Sequence, residues 1–271
     1  MEEIPPRQAA ARERGTGARL VLVVLISSLL AGAAGGAVAV GLDRLLYPRT
    51  DSPATAGGLS DVAGAAAAVL PAVVTVISSG GGQTVSGSGF VIDRAKGHVV
   101  TSSHVIELPR TTTPSGEVTV LLASGRTLAA RVLGNDPEHD IAVLKVDGAL
   151  DGEVVLSAAE AAVGAEVIAI GTPGVGSGIA PLTNTVTLGV VSATGRRIPR
   201  EDLRNVILTD LIQTDASIGE GMSGGPLVLV ATKQVVGINT LLIRGQTDLA
   251  FAVSSITLRR VVDEILARAA P

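Results

Sequence analysis

Apolar and polar positions follow a short period over most of the chain. From residue 73 onward, runs rich in Val, Ile, Leu and Thr are bounded by Gly, Pro, Asp, Asn and Ser, with no long helical period between them. Such runs are typical of antiparallel strands. The predicted strands are residues 73–78, 87–93, 98–103, 117–123, 127–135, 141–147, 166–171, 184–193, 205–215, 225–231, 234–243 and 249–254. Because a Gly/Ala-rich break divides them into two groups of six, they predict an all-β fold of two packed six-stranded antiparallel barrels.

Helical patterns flank the predicted barrels. Before them, Ser60 can cap a short helix through alanines 65–68, which Pro71 would end. After them, residues 256–268 place apolar side chains at helical spacing. Those side chains are Leu258, Val261, Val262, Ile265 and Leu266, and the caps available are Ser254 and Ser255. We therefore expect a C-terminal helix packed on a barrel.

Residues 20–42 form an apolar run that carries no charge. A helix of that length, rising about 1.5 Å per residue, spans a bilayer core of about 30 Å. Arginines are more numerous before the run than after it, which favours an N-terminus in the cytoplasm and the remaining chain outside. They are Arg7, Arg12, Arg14 and Arg19 before it, and Arg44 and Arg49 after it. The sequence therefore predicts a single-pass anchor in the cytoplasmic membrane.

The same residues fit a second interpretation. A cleaved signal peptide would have its apolar core at residues 20–30 and a cleavage site at 31–33 or 37–39. The protein would then be secreted. The uncharged run is longer than such a core needs, which favours the uncleaved anchor.

These patterns predict the domain organisation. Its parts are a cytoplasmic tail (1–19), a transmembrane helix (20–42), a linker (43–60) and a folded domain (61–271), the last divided into barrel 1 (about 61–150), barrel 2 (about 151–255) and the helix 256–268.

Composition narrows the classes of function. Aromatic residues make up only 1% of the chain, so its core must consist of Val, Ile, Leu and Ala. No cysteine is present, which excludes disulfides, thiolate zinc sites and a cysteine nucleophile. The net charge of −4 and the lack of a basic stripe argue against nucleic-acid binding. The three histidines lack the spacing of zinc ligands, and we expect neither a metal nor a cofactor.

The stretch GEGMSGGPL, residues 219–227, holds the strongest chemical signal. Its glycines let the backbone turn tightly, so that the N–H groups of Gly221 and Ser223 can point into one small space. Alone, the stretch is typical of a Gly-rich turn. A serine acts as a nucleophile only with a base within hydrogen-bond reach and an acid that orients that base. His104 lies where a predicted strand ends, a position that would hold such a base rigidly.

Six blocks of the sequence resemble the HtrA (Deg) serine proteases, which have the chymotrypsin fold. The blocks are GSGFVI, HVVTSSHVI, NDPEHDIAVLKVD, QTDASIGEGMSGGPL, VVGINT and DLAFAVSSITLRRVVDEI. They occur in the family's order and at family-like spacings from about Val62 to Leu266. The resemblance implies a bacterial, trypsin-like serine endopeptidase that acts in protein quality control, with proteins or peptides as substrates.

The resemblance also implies a role for each matching residue. His104 matches the general base, Asp140 the acid that orients it, and Ser223 the nucleophile. The backbone N–H groups of Gly221 and Ser223 match the oxyanion hole. The His and Asp residues nearby that the motifs do not select are His98, His139 and Asp136.

The implied substrate pocket carries no charge. The residues that the resemblance places around it are Ser217, Ile218, Gly237, Ile238, Asn239 and Thr240. An uncharged pocket offers no partner for a substrate Lys or Arg, so it favours small apolar P1 residues such as Val, Ala or Ile. The loop 172–183 is Gly-rich, and the resemblance makes it a candidate switch between idle and competent states.

The chain departs from the family's pattern at three places. Met222 stands where Asn is usual, and a methionine cannot pair with a freed N-terminus. Glu220 lies beside the predicted nucleophile. The sequence ends at Pro271, directly after the predicted helix, so we expect no PDZ domain.

Two questions stay open at this level. The same fold without activity would be a pseudoprotease or a module that binds unfolded proteins, which the intact set of His104, Asp140 and Ser223 argues against. Relatives often form homotrimers through aromatic contacts, so the resemblance implies a homo-oligomer (a trimer), although this chain has one Tyr and two Phe to make such contacts.

Overall fold

The computed structural model describes residues 58–107, 116–173, 183–199, 206–243 and 249–269. Its helices are α1 (Gly58–Val69), continued by a 3₁₀ turn (Leu70–Ala72), α2 (Ser103–Ile106) and α3 (Ser255–Ala269). Its strands are β1 (Val73–Gly80), β2 (Gln83–Asp93), β3 (His98–Thr101), β4 (Glu117–Leu121), β5 (Thr127–Asp136), β6 (Ile141–Val146), β7 (Glu166–Gly171), β8 (Thr185–Pro199), β9 (Ile207–Thr214), β10 (Pro226–Leu229), β11 (Val235–Ile243) and β12 (Leu249–Ser254).

The strands form two closed barrels, all of whose pairings are antiparallel. The order around barrel 1 is β1-β2-β3-β6-β5-β4, and barrel 2 repeats this order as β7-β8-β9-β12-β11-β10. Closure removes the unpaired strand edges that an open sheet would present. The predictions of an all-β fold and of a C-terminal helix are confirmed.

Aliphatic side chains fill both barrels. The larger apolar cluster joins residues of barrel 1, such as Phe90 and Leu144, to residues of barrel 2, such as Ile168 and Leu211, and all four are fully buried. A smaller cluster in barrel 2 includes Ile218, Met222 and Leu227. Because one cluster spans both barrels, continuous packing holds the two halves of the domain together.

Helix α3 is capped where β12 ends. The Ser254 hydroxyl oxygen accepts the Thr257 N–H at 3.2 Å, the contact expected of an N-cap. The Asp210 carboxylate accepts the hydroxyls of both Ser254 and Thr257. A carboxylate near a helix N-terminus also lowers the free energy of the helix through its dipole. These contacts fix where α3 leaves barrel 2.

Some predictions fall outside the described residues. They include the cytoplasmic tail, the transmembrane helix, nearly all of the linker, and residues 174–182 of the Gly-rich loop. Of the helices in the described ranges, none combines the length and the apolar character needed to cross a membrane. Several strand bounds differ from the prediction: β2 begins at Gln83 rather than 87, β3 ends at Thr101 rather than 103, and β8 runs to Pro199 rather than 193, with repeated register shifts against β9.

His98, at the start of β3, predicts a pH dependence of stability. Burial lowers the pKa of its imidazole below the ordinary 6.5, with Lys96 and Lys145 acting in the same direction and Asp93 opposing them. The unfolded chain therefore binds a proton more readily than the folded chain, so the free energy of unfolding falls as the pH drops below 6.5. We expect His98→Gln to lose less stability than the wild type between about pH 7.5 and about pH 5, measured by denaturant unfolding. Equal losses would contradict this role.

Candidate active site

The strand register brings His104 and Asp140 together. β3 and β6 pair antiparallel, with Thr101 opposite Ala142. His104 lies three residues beyond Thr101 in α2, and Asp140 directly precedes β6. Both residues therefore leave barrel 1 at the same edge, where the chain turns away from the sheet.

The two side chains form a close pair. Nδ1 of His104 lies 3.0 Å from Oδ1 and 2.9 Å from Oδ2 of Asp140, and the His104 backbone N–H donates to Oδ1 at 3.1 Å. Asp140 is 1% exposed, and its φ of 56° is in the left-handed region that non-glycine residues rarely adopt. An ionised Asp140 accepts the Nδ1 proton, which directs Nε2 of the neutral ring to act as the base.

Thr240 connects this pair to barrel 2. Its hydroxyl donates to Oδ2 of Asp140, and its carbonyl oxygen accepts the Ser223 hydroxyl at 3.4 Å. Thr240 is 6% exposed and lies on β11. The sequence placed Thr240 in the substrate pocket, whereas the structure directs its hydroxyl at the buried carboxylate. One residue thus contacts both Asp140 and Ser223.

A tight turn precedes Ser223. The Met222 N–H donates to the Gly219 carbonyl at 3.1 Å, and Gly221 has a φ of 89°, as the third residue of a type II turn requires. A Cβ at position 221 would lie 2.5 Å from the Thr172 carbonyl oxygen, so a larger residue does not fit there. The turn therefore depends on glycine for both its conformation and its space.

Ser88 of barrel 1 holds this turn in place. Its hydroxyl donates to the Gly221 carbonyl at 2.7 Å and accepts the Thr172 N–H at 2.9 Å. Its backbone N–H donates to the Ser223 carbonyl at 2.8 Å. Within the described part of the chain, the N–H groups of Gly221 and Ser223 have no hydrogen-bond acceptor. Two N–H donors therefore remain available beside the Ser223 hydroxyl.

Met222 anchors the turn from its other side. Its side chain is 2% exposed and packs in the apolar cluster of barrel 2 with Ile218 and Leu227. Its sulfur accepts the Gly219 N–H at 3.5 Å. Apolar packing thus occupies the position where the family pattern has a polar residue.

The other residues expected at the substrate pocket occupy varied environments. Ser217 is exposed, and its carbonyl accepts the Thr187 hydroxyl at 2.7 Å. Ile218 and Ile238 are buried in the apolar clusters. Gly237 pairs with both Leu227 and Ser254 within the barrel.

Asn239 ties the Ser223 loop to β11. Its carbonyl accepts the Gly224 N–H at 2.7 Å and the Ser102 hydroxyl at 3.3 Å, and its N–H donates to Gly225 at 2.8 Å. Its side-chain Oδ1 is buried, with no hydrogen-bond partner in the described structure. Sequence reasoning did not assign this role or that of Ser88, although both residues lie in the motifs GSGFVI and VVGINT.

The site offers acid–base and nucleophilic chemistry from side chains alone. Across the described ranges, no three His, Asp or Glu side chains cluster in a way that would hold a metal ion. The arrangement instead consists of an imidazole oriented by a buried carboxylate, a nearby hydroxyl and two backbone N–H donors. These are the parts that an acyl-transfer reaction requires.

This fold and this site define a trypsin-like peptidase domain. The sequence matches the trypsin-like peptidase domain family over residues 87–238. The chain belongs to that family, and it is similar to serine proteases of the HtrA/DegP type.

Individual relatives support this assignment. A probable periplasmic DegP-like serine endoprotease of Chlamydia trachomatis is 36% identical over 188 residues, which are 68% of this chain and 34% of that protein. The serine protease PepD of Mycobacterium tuberculosis is 32% identical over 96% of this chain and 61% of its own length. The solved structure of an HtrA-type protease AlgW with a tripeptide has a TM-score of 0.63 and 31% identity, and the match covers 75% of this chain and 63% of that one. The chain therefore spans only part of each relative.

Proposed function

We propose that the domain is a serine endopeptidase that hydrolyses peptide bonds of misfolded or regulatory proteins. The observation that carries this proposal is the chain of contacts from His104 to Asp140, from Asp140 to Thr240, and from Thr240 to Ser223. A buried carboxylate that orients an imidazole is the requirement for activating a serine at neutral pH. The two available N–H groups beside Ser223 add the second requirement, a site for the oxyanion.

These contacts support the following reaction. Ser223 Oγ attacks the substrate carbonyl carbon while Nε2 of His104 takes the hydroxyl proton. The N–H groups of Gly221 and Ser223 donate to the resulting oxyanion. His104 then returns the proton to the leaving amine, so the peptide C–N bond breaks and an acyl-Ser223 ester remains. Water, deprotonated by His104, hydrolyses that ester and restores the serine.

The proposed specificity rests on the absence of charge around the substrate pocket. Ser217, Ile218 and residues 237–240 include no ionisable side chain, so a substrate Lys or Arg would lose its hydration without gaining a partner. We therefore propose that the enzyme prefers P1 residues such as Val, Ala or Ile. A peptide-library digest should show cleavage after these residues, whereas dominant cleavage after Lys or Arg would contradict the pocket assignment.

The proposed location is outside the cytoplasmic membrane. The uncharged run 20–42 and the arginines before it support an anchor with the folded domain outside. The Chlamydia relative is a probable periplasmic protease, and a domain outside the cytoplasmic membrane agrees with that location.

A fluorophosphonate probe tests the proposed activity. It forms an Oγ–P bond, with loss of fluoride, only at a serine that a neighbouring base activates. We expect one labelled position, Ser223, in the folded protein and none after heat denaturation, read by peptide mapping. The exposed Ser192 on β8 is the internal control, which should stay unlabelled. A folded chain without label at Ser223 would instead support a pseudoprotease that binds unfolded proteins.

A further inference from the structure

A second His–Asp pair lies directly beside the first. Nδ1 of His139 is 2.9 Å from Oδ2 of Asp136, and the His139 N–H donates to Oδ1 at 3.1 Å. Their side chains are 22% and 17% exposed. Asp136 is the last residue of β5, and His139 lies in the turn that leads from β5 to Asp140. This pair has nearly the same distances as the His104–Asp140 pair, and its other ring nitrogen, Nε2, faces Arg260.

The Arg260 guanidinium contacts the second ring nitrogen of His139. One guanidinium nitrogen of Arg260 lies 2.9 Å from Nε2 of His139. A guanidinium has donors only, so Nε2 must accept, and the ring is neutral with its proton on Nδ1, donated to Asp136. The lone pair that a general base would use is therefore engaged. The pair holds a structure in place rather than activating a nucleophile.

This contact crosses from α3 to barrel 1. Arg260 is in the first half of α3 and also pairs with Glu264 at 2.9 Å. Further along the helix, Ile265 packs closely on β5: a Cβ added at Gly134 would be 2.9 Å from Ile265. Helix α3 follows the last strand of barrel 2. Through Arg260 it contacts His139, in the turn of barrel 1 that leads to Asp140.

We propose that His139 and Arg260 are positioning residues for Asp140, and this inference rests on the proposed protease activity. Asp140 has a left-handed backbone, which costs free energy and persists only where its surroundings fix it. His104 and Thr240 hold its carboxylate. The chain of contacts from Asp136 to His139 to Arg260 holds the backbone that leads into it. Loss of Arg260 lets this turn relax and misorients the carboxylate against His104.

The test compares arginine variants on one helix. We expect Arg260→Ala to lower kcat on a peptide substrate about tenfold while KM stays within about twofold, because the substrate-binding surface is unchanged but the base is misaligned. Arg260→Lys keeps a cationic donor and should recover most of the rate. Arg268→Ala is the matched control, since Arg268 is in the same helix and donates to the Glu264 carbonyl, at 3.1 Å. His139→Ala should resemble Arg260→Ala.

A spectroscopic measurement separates positioning from stability. In the Ser223→Ala background, the low-field NMR signal of the His104 Nδ1 proton should shift or broaden in Arg260→Ala and stay unchanged in Arg268→Ala. Unchanged kcat and an unchanged signal in both Arg260→Ala and His139→Ala, with label uptake by the wild type, would overturn this inference alone. A wild-type chain that takes no fluorophosphonate label overturns the proposed activity and the inference together.

Discussion

Ser223→Ala should abolish proteolysis of an unfolded substrate such as casein while binding of that substrate persists. Without Oγ no acyl-enzyme ester forms, and nucleophile removal in a triad lowers kcat by about 10⁶-fold. The hydrogen bond from the Ser223 side chain to the Thr240 carbonyl is long, at 3.4 Å, so its loss should cost the fold little stability. Casein cleavage followed by gel, with substrate binding measured by anisotropy, gives both readouts.

Ser192→Ala is the matched control for this variant. Ser192 is an exposed serine on β8, and its replacement should leave cleavage at the wild-type rate. Cleavage retained by Ser223→Ala at more than a trace would remove Ser223 as the nucleophile.

Asp140→Asn should lower kcat by about 10⁴-fold. Oδ1 accepts the His104 N–H, Oδ2 accepts the Thr240 hydroxyl, and both lie within 3.0 Å of Nδ1. An amide has only one acceptor oxygen, so in either orientation its NH₂ faces a donor and also favours the wrong tautomer of His104. We therefore expect a stability loss of about 1–3 kcal/mol as well. Steady-state kinetics and denaturant unfolding measure the two effects.

Two comparisons make the Asp140 result decisive. Asp147→Asn removes an exposed carboxylate that pairs with Lys145, and it should leave kcat unchanged. The double variant Asp140→Asn with Ser223→Ala should be no slower than Ser223→Ala, because the residues of a triad act as one unit. A kcat for Asp140→Asn within tenfold of the wild type would show that another group orients His104.

The barrels were predictable because their strands are long β-branched runs ending in turn residues. β7 and β12 begin and end where the pattern placed them, at 166–171 and 249–254. β8 was cut short at 193, since Gly195 and the arginines after it are typical of a loop and only pairing with β9 keeps them in a strand. The local strand preference of these residues does not reveal that they pair with β9.

Some residues of the site could likewise be predicted from the sequence, and others could not. His104, Asp140 and Ser223 lie in recognisable motifs, and the structure places His104 on Asp140. The hydroxyl of Thr240 could not be assigned, because the register of β11 decides whether it faces a pocket or the carboxylate. The contact between His139 and Arg260 joins positions 121 residues apart, and neither residue signals the other in the sequence.

The division of the site between two barrels has a consequence for the chain during its own synthesis. His104 and Asp140 belong to barrel 1, and Ser223 belongs to barrel 2. Because a chain is made from its N-terminus, all of barrel 1 is synthesised before Ser223 is added. A chain that ends before Ser223 then contains the general base His104 and its acid Asp140 but lacks the nucleophile. In the proposed mechanism, peptide-bond cleavage therefore requires the second half to fold onto the first, so a partly made chain has no complete active site.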